Sequence, residues 1–408
     1  MTRHAPSAPT LESCRALALR GATLIDGTGA APLHRSVVIL RNGRVEAVGT
    51  AELGIPGDAE LLDVSGRWLL PGLIDAHVHA RTEPHFKSLL LAGATALRNP
   101  AQGAPPSRTD DGQSTPPPHA PPRPRVISAG PPIDRAPSPW PEADQVTSEE
   151  ELREAVRRQV ADGVDLIKLY VRLTPPLVAA AVEEAHAAGV PVLGDLALTS
   201  WTDAARAGID FLSHATPRHP SLLPADARDA FLAEIRDEHV DPLSRWFERV
   251  DLDGPEITEM ITALADADVA VDPTLVAVRA QLTSSPHARV PEVWPKVLGL
   301  VRRLHQAGVR LLAGTDAPRP MIPAGASLHR ELALLVDAGL SPTEALGAAT
   351  GSSATALGLS ADHGTITPGR RADLILLTAD PLQDITNTES IDRILFAGEF
   401  LNRKTCGH

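Results

Sequence analysis

Two histidines spaced two residues apart, His77 and His79, form the pattern in this chain that most directly indicates chemistry. They end the segment 70–79, Leu-Pro-Gly-Leu-Ile-Asp-Ala-His-Val-His, whose apolar start is typical of a buried β-strand. Because alternate residues of a strand face the same side, both imidazoles point the same way, together with Asp75. Neutral imidazole nitrogens are preferred ligands of Zn²⁺ and related divalent ions. The pair therefore predicts a metal site, provided that other strands supply the remaining ligands.

The elements that would bring such ligands together form an alternating pattern of strands and helices. Helix-start signals occur at Ser148 with Glu151, at Thr174 with Pro175, and at Ser341 with Glu344. Strands are predicted at 72–79, 94–98, 125–129, 164–170, 190–196, 209–214, 269–273 and 309–316. Eight successive β/α units predict an α/β fold, a (β/α)₈ barrel of the TIM type.

Short strand-like segments at both ends of the chain predict a second, smaller unit. We expect residues 1–69 and 359–408 to form together one composite β-sandwich domain, and residues 70–358 to form the barrel. A proline-rich insertion at 104–125 interrupts the barrel with eight prolines in 22 positions. Such a stretch favours an extended surface linker, with a partner-binding segment as the less favoured alternative.

Composition limits the function classes. The 408 residues and their 43% hydrophobic content allow one large core and an accessory domain. The net charge of −13 and the lack of a Lys/Arg run argue against nucleic acid or a membrane as partner. The two cysteines, Cys14 and Cys406, and an N-terminus without a secretory signal lead us to expect a cytoplasmic protein. We expect a small-molecule or peptide substrate, and a homo-oligomer remains open.

Five of the eight predicted strands carry a possible ligand at the C-terminal end, where barrels of this kind do their chemistry. Each has an ordinary structural explanation when taken alone: a lysine can reach solvent, and an aspartate can cap a helix. Their recurrence at matched depths in successive strands favours a shared site. Besides the two histidines, the candidates are Lys168 with Tyr170 on the same face, Asp195, His214 and Asp316.

Several of these strand segments resemble signatures of the amidohydrolase superfamily, and the resemblance covers nearly the whole chain. Within the superfamily the chain is similar to the imidazolonepropionase-like group, which includes metal-dependent Xaa-Pro dipeptidases. The resemblance implies a (β/α)₈ barrel with a small composite β-sandwich. The matching segments are 70–79, Val-Asp-Leu-Ile-Lys-Leu-Tyr at 164–170, Ile-Asp-Phe-Leu-Ser-His-Ala at 209–215, Leu-Leu-Ala-Gly-Thr-Asp-Ala at 311–317, and the tail 364–377.

At matching positions the resemblance implies one or two divalent ions, for which we expect Zn²⁺. It makes His77, His79 and Asp316 ligands of one ion. Lys168, carboxylated by CO₂ on its amine, would bridge to a second ion held partly by His214. A carbamate offers two anionic oxygens, whereas a protonated amine would repel a cation.

Two positions depart from the pattern of the superfamily. Asp195 stands where relatives usually carry a histidine, and three outcomes remain open: a direct ligand, a ligand through water, or loss of the second ion. We favour a retained ion with Asp195 in or next to its ligand set. Asn99 stands where relatives tend to carry aspartate, which we expect to alter hydrogen bonds around the ligands more than the chemistry.

The predicted function is hydrolysis of a C–N amide bond by metal-bound hydroxide. Asp316 would accept the proton of water and pass it to the departing nitrogen, and Tyr170 would either donate to the substrate or merely shape the pocket. Arg98, Arg218 and Arg319 are predicted to bind substrate. We expect a peptide-like or N-acyl amino-acid substrate, with a natural-product tailoring peptide as one example. The alternatives are hydrolysis or deamination of a small nitrogen heterocycle, and a barrel that has lost catalysis and only binds.

Overall fold

The computed structural model describes residues 16–101, 122–237 and 239–401. The predicted linker at 104–125 therefore lies outside the described residues except for 122–125, and so do Cys14 and Cys406. The structure leaves the expectations for those segments untested.

The strands of the described residues are short, from two to six residues each. In chain order they are β1 (Leu17–Arg20), β2 (Thr23–Leu24), β3 (Val37–Arg41), β4 (Arg44–Gly49), β5 (Glu60–Asp63), β6 (Trp68–Pro71), β7 (Leu73–Asp75), β8 (Ala94–Asn99), β9 (Arg125–Ser128), β10 (Ile133–Arg135), β11 (Asp144–Val146), β12 (Ile167–Leu169), β13 (Val192–Gly194), β14 (Phe211–Ser213), β15 (Ala270–Asp272), β16 (Arg310–Leu311), β17 (Leu374–Leu377), β18 (Ile391–Phe396) and β19 (Glu399–Phe400).

Helices separate most of the strands in the middle of the chain. They are α1 (Glu83–Leu91), α2 (Glu149–Ala161), α3 (Pro175–Ala187), α4 (Trp201–Arg206), α5 (Ala225–Glu234), α6 (Pro242–Arg249), α7 (Pro255–Asp266), α8 (Leu275–Ser284), α9 (Val290–Gln306), α10 (Ala326–Asp337), α11 (Pro342–Ala348) and α12 (Gly351–Ala356). Two short 3₁₀ helices cover Pro220–Leu222 and Ile385–Glu389. Within the described ranges, no helix is long and apolar enough to cross a lipid bilayer.

The central strands form two parallel sheets. One has the order β7-β8-β9, and the other has the order β11-β10-β12-β13-β14-β15-β16. Isolated parallel bridges join Ala129 to Leu166 and Val78 to Ala317, at the two places where these sheets approach each other. Seven of the eight predicted central strands contain an observed strand, and the eighth, 94–98, overlaps β8, which ends one residue later. This confirms the α/β class with parallel strands. β10 and β11 are additional and were not predicted.

Burial on both faces explains why these strands are parallel, since crossover helices cover one face and side chains from other strands cover the other. Every residue of β13 and β14 is buried. One buried cluster joins residues from strands of both parallel sheets: Ile74, Ala96, Ile127, Leu193, Phe211 and Ala270. The larger core cluster joins the other faces of the strands to the apolar faces of helices such as α2 and α3.

The helices begin where the signals predict, with two differences in detail. The Thr174 side chain makes no capping hydrogen bond at the start of α3, and the Ser148 signal is altered. Ser341 and Glu344 form a complete capping box ahead of α11. The Ser148 hydroxyl accepts from the Glu151 N–H at 3.2 Å, but the Glu151 carboxylate accepts from the Thr147 N–H at 2.7 Å. The reciprocal half of that predicted capping box is therefore shifted by one residue.

Two further sheets hold the strands from the ends of the described chain. One has the order β4-β3-β1-β5, and the other, β19-β18-β17-β6-β2, takes strands from both ends. Strand β6 pairs antiparallel with β17 and is followed after a single residue by β7. The second sheet thereby holds the chain directly before the segment that carries His77 and His79.

Candidate active site

The backbone brings the segments after β7 and β16 side by side. The Asp316 N–H donates to the His77 carbonyl at 2.7 Å, and the His79 N–H donates to the Ala317 carbonyl at 2.6 Å. Asp75 does not join the ligands that follow it, because its carboxylate accepts from the Thr315 hydroxyl at 2.8 Å. Asp75 instead links β7 to the segment that follows β16 by a hydrogen bond.

His77, His79 and Asp316 offer one ligand atom each within 4.8 Å of one another. Asp316 Oδ1 lies 2.8 Å from His79 Nε2 and 3.5 Å from His77 Nε2. Burial alone would raise the pKa of Asp316, but the His79 hydrogen bond and the nearby histidines lower it below its usual range. The group therefore presents one carboxylate and two imidazoles, the donor types that Zn²⁺ prefers.

Asp272, at the end of β15, orients the His77 ring. His77 Nδ1 lies 2.7 Å from Asp272 Oδ1, and both side chains are fully buried. Burial lowers the pKa of His77 well below its usual range, which favours the neutral imidazole. If Nδ1 carries the proton and donates to Asp272, the lone pair of Nε2 faces Asp316, as a metal ligand requires.

Arg98 lies beneath the site and not at its mouth. Its side chain is fully buried, forms an ion pair with Asp272, and donates from Nε to the Ala76 carbonyl at 2.6 Å. The structure therefore does not support the prediction that Arg98 binds substrate. Its guanidinium instead balances the charge of the buried Asp272. The neighbouring Asn99 donates to the Ala80 carbonyl at 2.7 Å and likewise braces the backbone after the histidines.

Lys168, on β12, lies near the same group of side chains. It is 4% exposed, and its Nζ lies 3.4 Å from the Ser213 hydroxyl. Burial lowers the pKa of Lys168, against the opposing charges of Asp195 and Asp272. The site therefore favours the neutral amine more than bulk water does.

His214 and Asp195 form the other wall of the site. The His214 ring lies 5.0 Å from the His77 ring, centroid to centroid, and its Nε2 lies 3.6 Å from Asp195 Oδ2. His214 Nδ1 lies 2.7 Å from the Thr274 hydroxyl. The structure thus brings together all the predicted ligands, with Asp195 beside His214.

Arg319 closes the site at its rim. Its Nε donates to Asp316 Oδ2 at 2.8 Å, and one Nη lies 3.4 Å from His79 Nε2. The side chain is 41% exposed, so part of the guanidinium faces solvent. Arg218 follows β14 in a turn and is partly exposed, and its substrate-binding role stays a prediction.

Tyr170 and Trp140 form an aromatic wall beside the ligands. Trp140 stacks on His79 with centroids 6.1 Å apart and meets Tyr170 edge-on at 6.0 Å. Burial, with the Asp195 charge adding to it, raises the pKa of Tyr170 to about 12, so the hydroxyl remains a donor at neutral pH. The wall is held by Asp134, whose carboxylate accepts from the Ser138 hydroxyl at 2.7 Å and the Arg172 N–H at 2.8 Å.

Sequence reasoning missed Asp272 and Trp140 as site residues. Asp272 lies at the end of a predicted strand, in the position that drew attention to Asp195 and His214, so the same criterion could have found it. Trp140 lies in an irregular segment after β10 and carries no periodic signal.

Parallel strands whose C-terminal ends gather two histidines, an aspartate and a buried lysine define a class of metal-dependent hydrolases with an α/β fold. The family model described as "Amidohydrolase family" matches residues 68–401. The chain belongs to this family, which confirms the resemblance read from its motifs. The family match supports a hydrolytic enzyme.

Solved structures match over nearly the whole chain. A "putative prolidase" from Bifidobacterium longum is 27% identical with a TM-score of 0.72, over 96% of this chain and 95% of that one. A Xaa-Pro dipeptidase with bound methionine is 19% identical with a TM-score of 0.71, over 95% and 100%. An imidazolonepropionase from a Bradyrhizobium species is 39% identical over 82 residues, 19% of this chain. This chain matches only 20% of the length of that relative.

Proposed function

We propose that this protein is a metal-dependent hydrolase that cleaves the C–N amide bond of a peptide-like or N-acyl amino-acid substrate. The main support for this proposal is the group of His77, His79 and Asp316, whose ligand atoms lie within 4.8 Å of one another beside a buried lysine. The arginine at the rim adds a group that can bind a substrate carboxylate. A natural-product tailoring peptide is one substrate that fits this description.

The residues present fit a divalent ion, and we propose Zn²⁺. Nε2 of His77, Nε2 of His79 and Oδ1 of Asp316 would hold it, because Asp272 leaves the His77 Nε2 lone pair directed at the site. When bound, such an ion lowers the pKa of water and polarises a carbonyl oxygen.

Lys168 would hold a second ion after reaction with CO₂. Its neutral amine would form a bond to the carbon of CO₂ while one C=O π bond opens, and it would lose one proton to solvent, which leaves a carbamate with one negative charge shared by its two oxygens. The lowered pKa of Lys168 supports this step, because the neutral amine is the nucleophile. His214 and Asp195, 3.6 Å apart, would complete that ligand set.

Asp316 would act as the proton carrier of the reaction. Its Oδ1 faces the histidines and its Oδ2 accepts from Arg319, so Oδ2 becomes available when the guanidinium moves to an anionic group of the substrate. Oδ2 then accepts a proton from water and returns it to the departing nitrogen. The Tyr170 hydroxyl donates to the oxygen of the scissile carbonyl.

Arg319 and the aromatic wall together support the proposed substrate class. A carboxylate paired with Arg319 would place the side chain of an amino-acid substrate near Trp140 and Tyr170. The alternative is hydrolysis of a small nitrogen heterocycle, supported by the short match to an imidazolonepropionase.

We also propose how the sheets combine into domains. The two parallel sheets close into a (β/α)₈ barrel, supported by the two isolated bridges and the buried cluster shared by both sheets. The terminal sheets form a β-sandwich, supported by a cluster that includes Leu19 and Val38 of one sheet and Leu374 and Leu395 of the other. The domain limits 1–69, 70–358 and 359–408 follow from this division.

The test is an assay of dipeptides and N-acyl amino acids, with the corresponding carboxamides and nitrogen heterocycles as further substrates. We expect carboxylate-bearing amides to be hydrolysed by the zinc-loaded protein and not by Asp316→Asn. Activity that survives Asp316→Asn would contradict the assigned proton carrier. Turnover of heterocycles alone would favour the alternative. Less than one equivalent of tightly bound metal, with no turnover, would indicate a barrel that only binds.

A further inference from the structure

A carboxylate outside the ligand set, Glu331 on α10, is completely buried. Its Oε1 accepts from the Leu275 N–H and its Oε2 from the Val276 N–H, both at 2.8 Å. These are the first two residues of α8, whose N–H groups have no partner within the helix. A buried carboxylate is costly for a fold, and two backbone hydrogen bonds only partly offset that cost. Helix capping alone therefore does not explain why a glutamate is buried at position 331.

The residue just before this helix, Thr274, has an unusual backbone conformation that serves His214. Thr274 has φ 44° and ψ 50°, in the left-handed region that β-branched residues rarely adopt. Its hydroxyl lies 2.7 Å from His214 Nδ1. Strained residues of this kind persist where the surrounding structure holds them, and they cluster at functional sites. Here the hydrogen bonds from the next two residues to Glu331 hold the backbone.

The residues just before Thr274 also orient the imidazole of His77. Asp272, two residues before Thr274, accepts from His77 Nδ1 at 2.7 Å. Residues 272–274 therefore carry the partners of both His77 and His214. Strand pairing of Asp272 with Ser213 fixes this segment on one side, and Glu331 fixes it on the other.

We propose that Glu331 is a positioning residue for the hydrolytic site, because it anchors the segment 272–274 that sets the ring orientations of His77 and His214. The inference rests on the proposed function, since it assumes that these rings hold the catalytic ion. Glu331 itself touches neither ligand and acts through backbone groups. Outer partners of metal-ligating histidines fix the tautomer and the ring plane, and their loss typically weakens metal binding by about 10–100-fold.

The experiment compares the zinc-loaded wild type with Glu331→Gln. The control is Glu344→Gln, which likewise replaces a helix-capping carboxyl group by an amide but lies at the start of α11. Chelator competition gives the zinc affinity, and NMR of protein with ¹⁵N-labelled histidine reports the tautomer of each ring. We expect Glu331→Gln to weaken zinc binding by about tenfold, to shift the His77 and His214 ring signals, and to lower kcat more than it changes KM.

The result that would overturn the proposal is a Glu331→Gln protein that is less stable but keeps wild-type ring signals and zinc affinity. If Glu331→Gln does not fold, Glu331→Asp carries the test, because it keeps a carboxylate but shortens its reach to the Leu275 and Val276 N–H groups. The aspartate should also shift the His214 ring signals and weaken zinc binding, and wild-type signals and affinity would contradict the proposal. A wild type that hydrolyses nothing would refute the proposed function, while the ring signals and zinc affinity still decide the role of Glu331.

Discussion

The buried ion pair of Asp272 with Arg98 gives the sharpest prediction for a residue outside the ligand set. Asp272→Asn removes the charge that balances a fully buried guanidinium, since both side chains have no exposed surface. Removing one partner of a buried pair typically costs about 3–5 kcal/mol. The same change alters the hydrogen bond to His77 Nδ1, so we also expect zinc binding to weaken by about 10–100-fold.

Urea unfolding and chelator competition measure the two effects, and Asp268→Asn is the matched control. Asp268 also pairs with an arginine, Arg310, at 2.9 Å, but its side chain is 76% exposed. Exposed pairs contribute at most about 1 kcal/mol, so the control should keep nearly wild-type stability and full zinc affinity. Zinc affinity unchanged in Asp272→Asn would refute the assigned orientation of His77. Replacing Arg98 by methionine in the same protein should recover part of the lost stability.

Three further predictions concern pH, the lysine and the aromatic wall. Burial lowers the pKa of His329 to about 4 from its ordinary 6.5. The unfolded chain therefore binds more protons between these values, and about 3 kcal/mol of stability should be lost as pH falls from 7 to 4. Urea midpoints for His329→Gln should show a smaller loss, and an unchanged pH dependence would contradict this. Lys168→Ala should lose activity and regain part of it with added short carboxylates, whereas no dependence on Lys168 would exclude the carbamate. Trp140→Ala should reduce kcat/KM for substrates with aromatic or cyclic side chains more than for alanine-containing ones. Trp140→Phe should keep the wild-type preference for aromatic or cyclic side chains. Equal losses of kcat/KM for both kinds of substrate in Trp140→Ala would contradict a role of Trp140 in specificity.

The central strands could be predicted because parallel strands buried on both faces leave short apolar runs in the sequence. The predicted runs exceed the observed strands, as at 309–316, where β16 covers only Arg310–Leu311. The residues after it are irregular, and Asp316 there has φ 62°. The side-chain pattern does not report such backbone changes. β10 and β11 contain only one apolar residue each, Ile133 and Val146, so no apolar run marks them in the sequence.

The candidate ligands could be predicted from the sequence, but the pairings among the side chains that hold them could not. His77, Lys168 and His214 stand at strand ends, where fold class alone assigns a direction. Arg98 was predicted to bind substrate, but its side chain is fully buried. Its true partner, Asp272, is 174 residues away, and a buried pair of this kind depends on packing between strands. Trp140 was missed because its position is fixed by Asp134 through side-chain hydrogen bonds.

The most direct test of the account is anomalous X-ray scattering from crystals grown with zinc. We predict a peak between His77 Nε2, His79 Nε2 and Asp316 Oδ1, with a second peak, if present, between Lys168 and His214. Crystals with ample zinc that show no peak among those three side chains would contradict the metal-dependent mechanism.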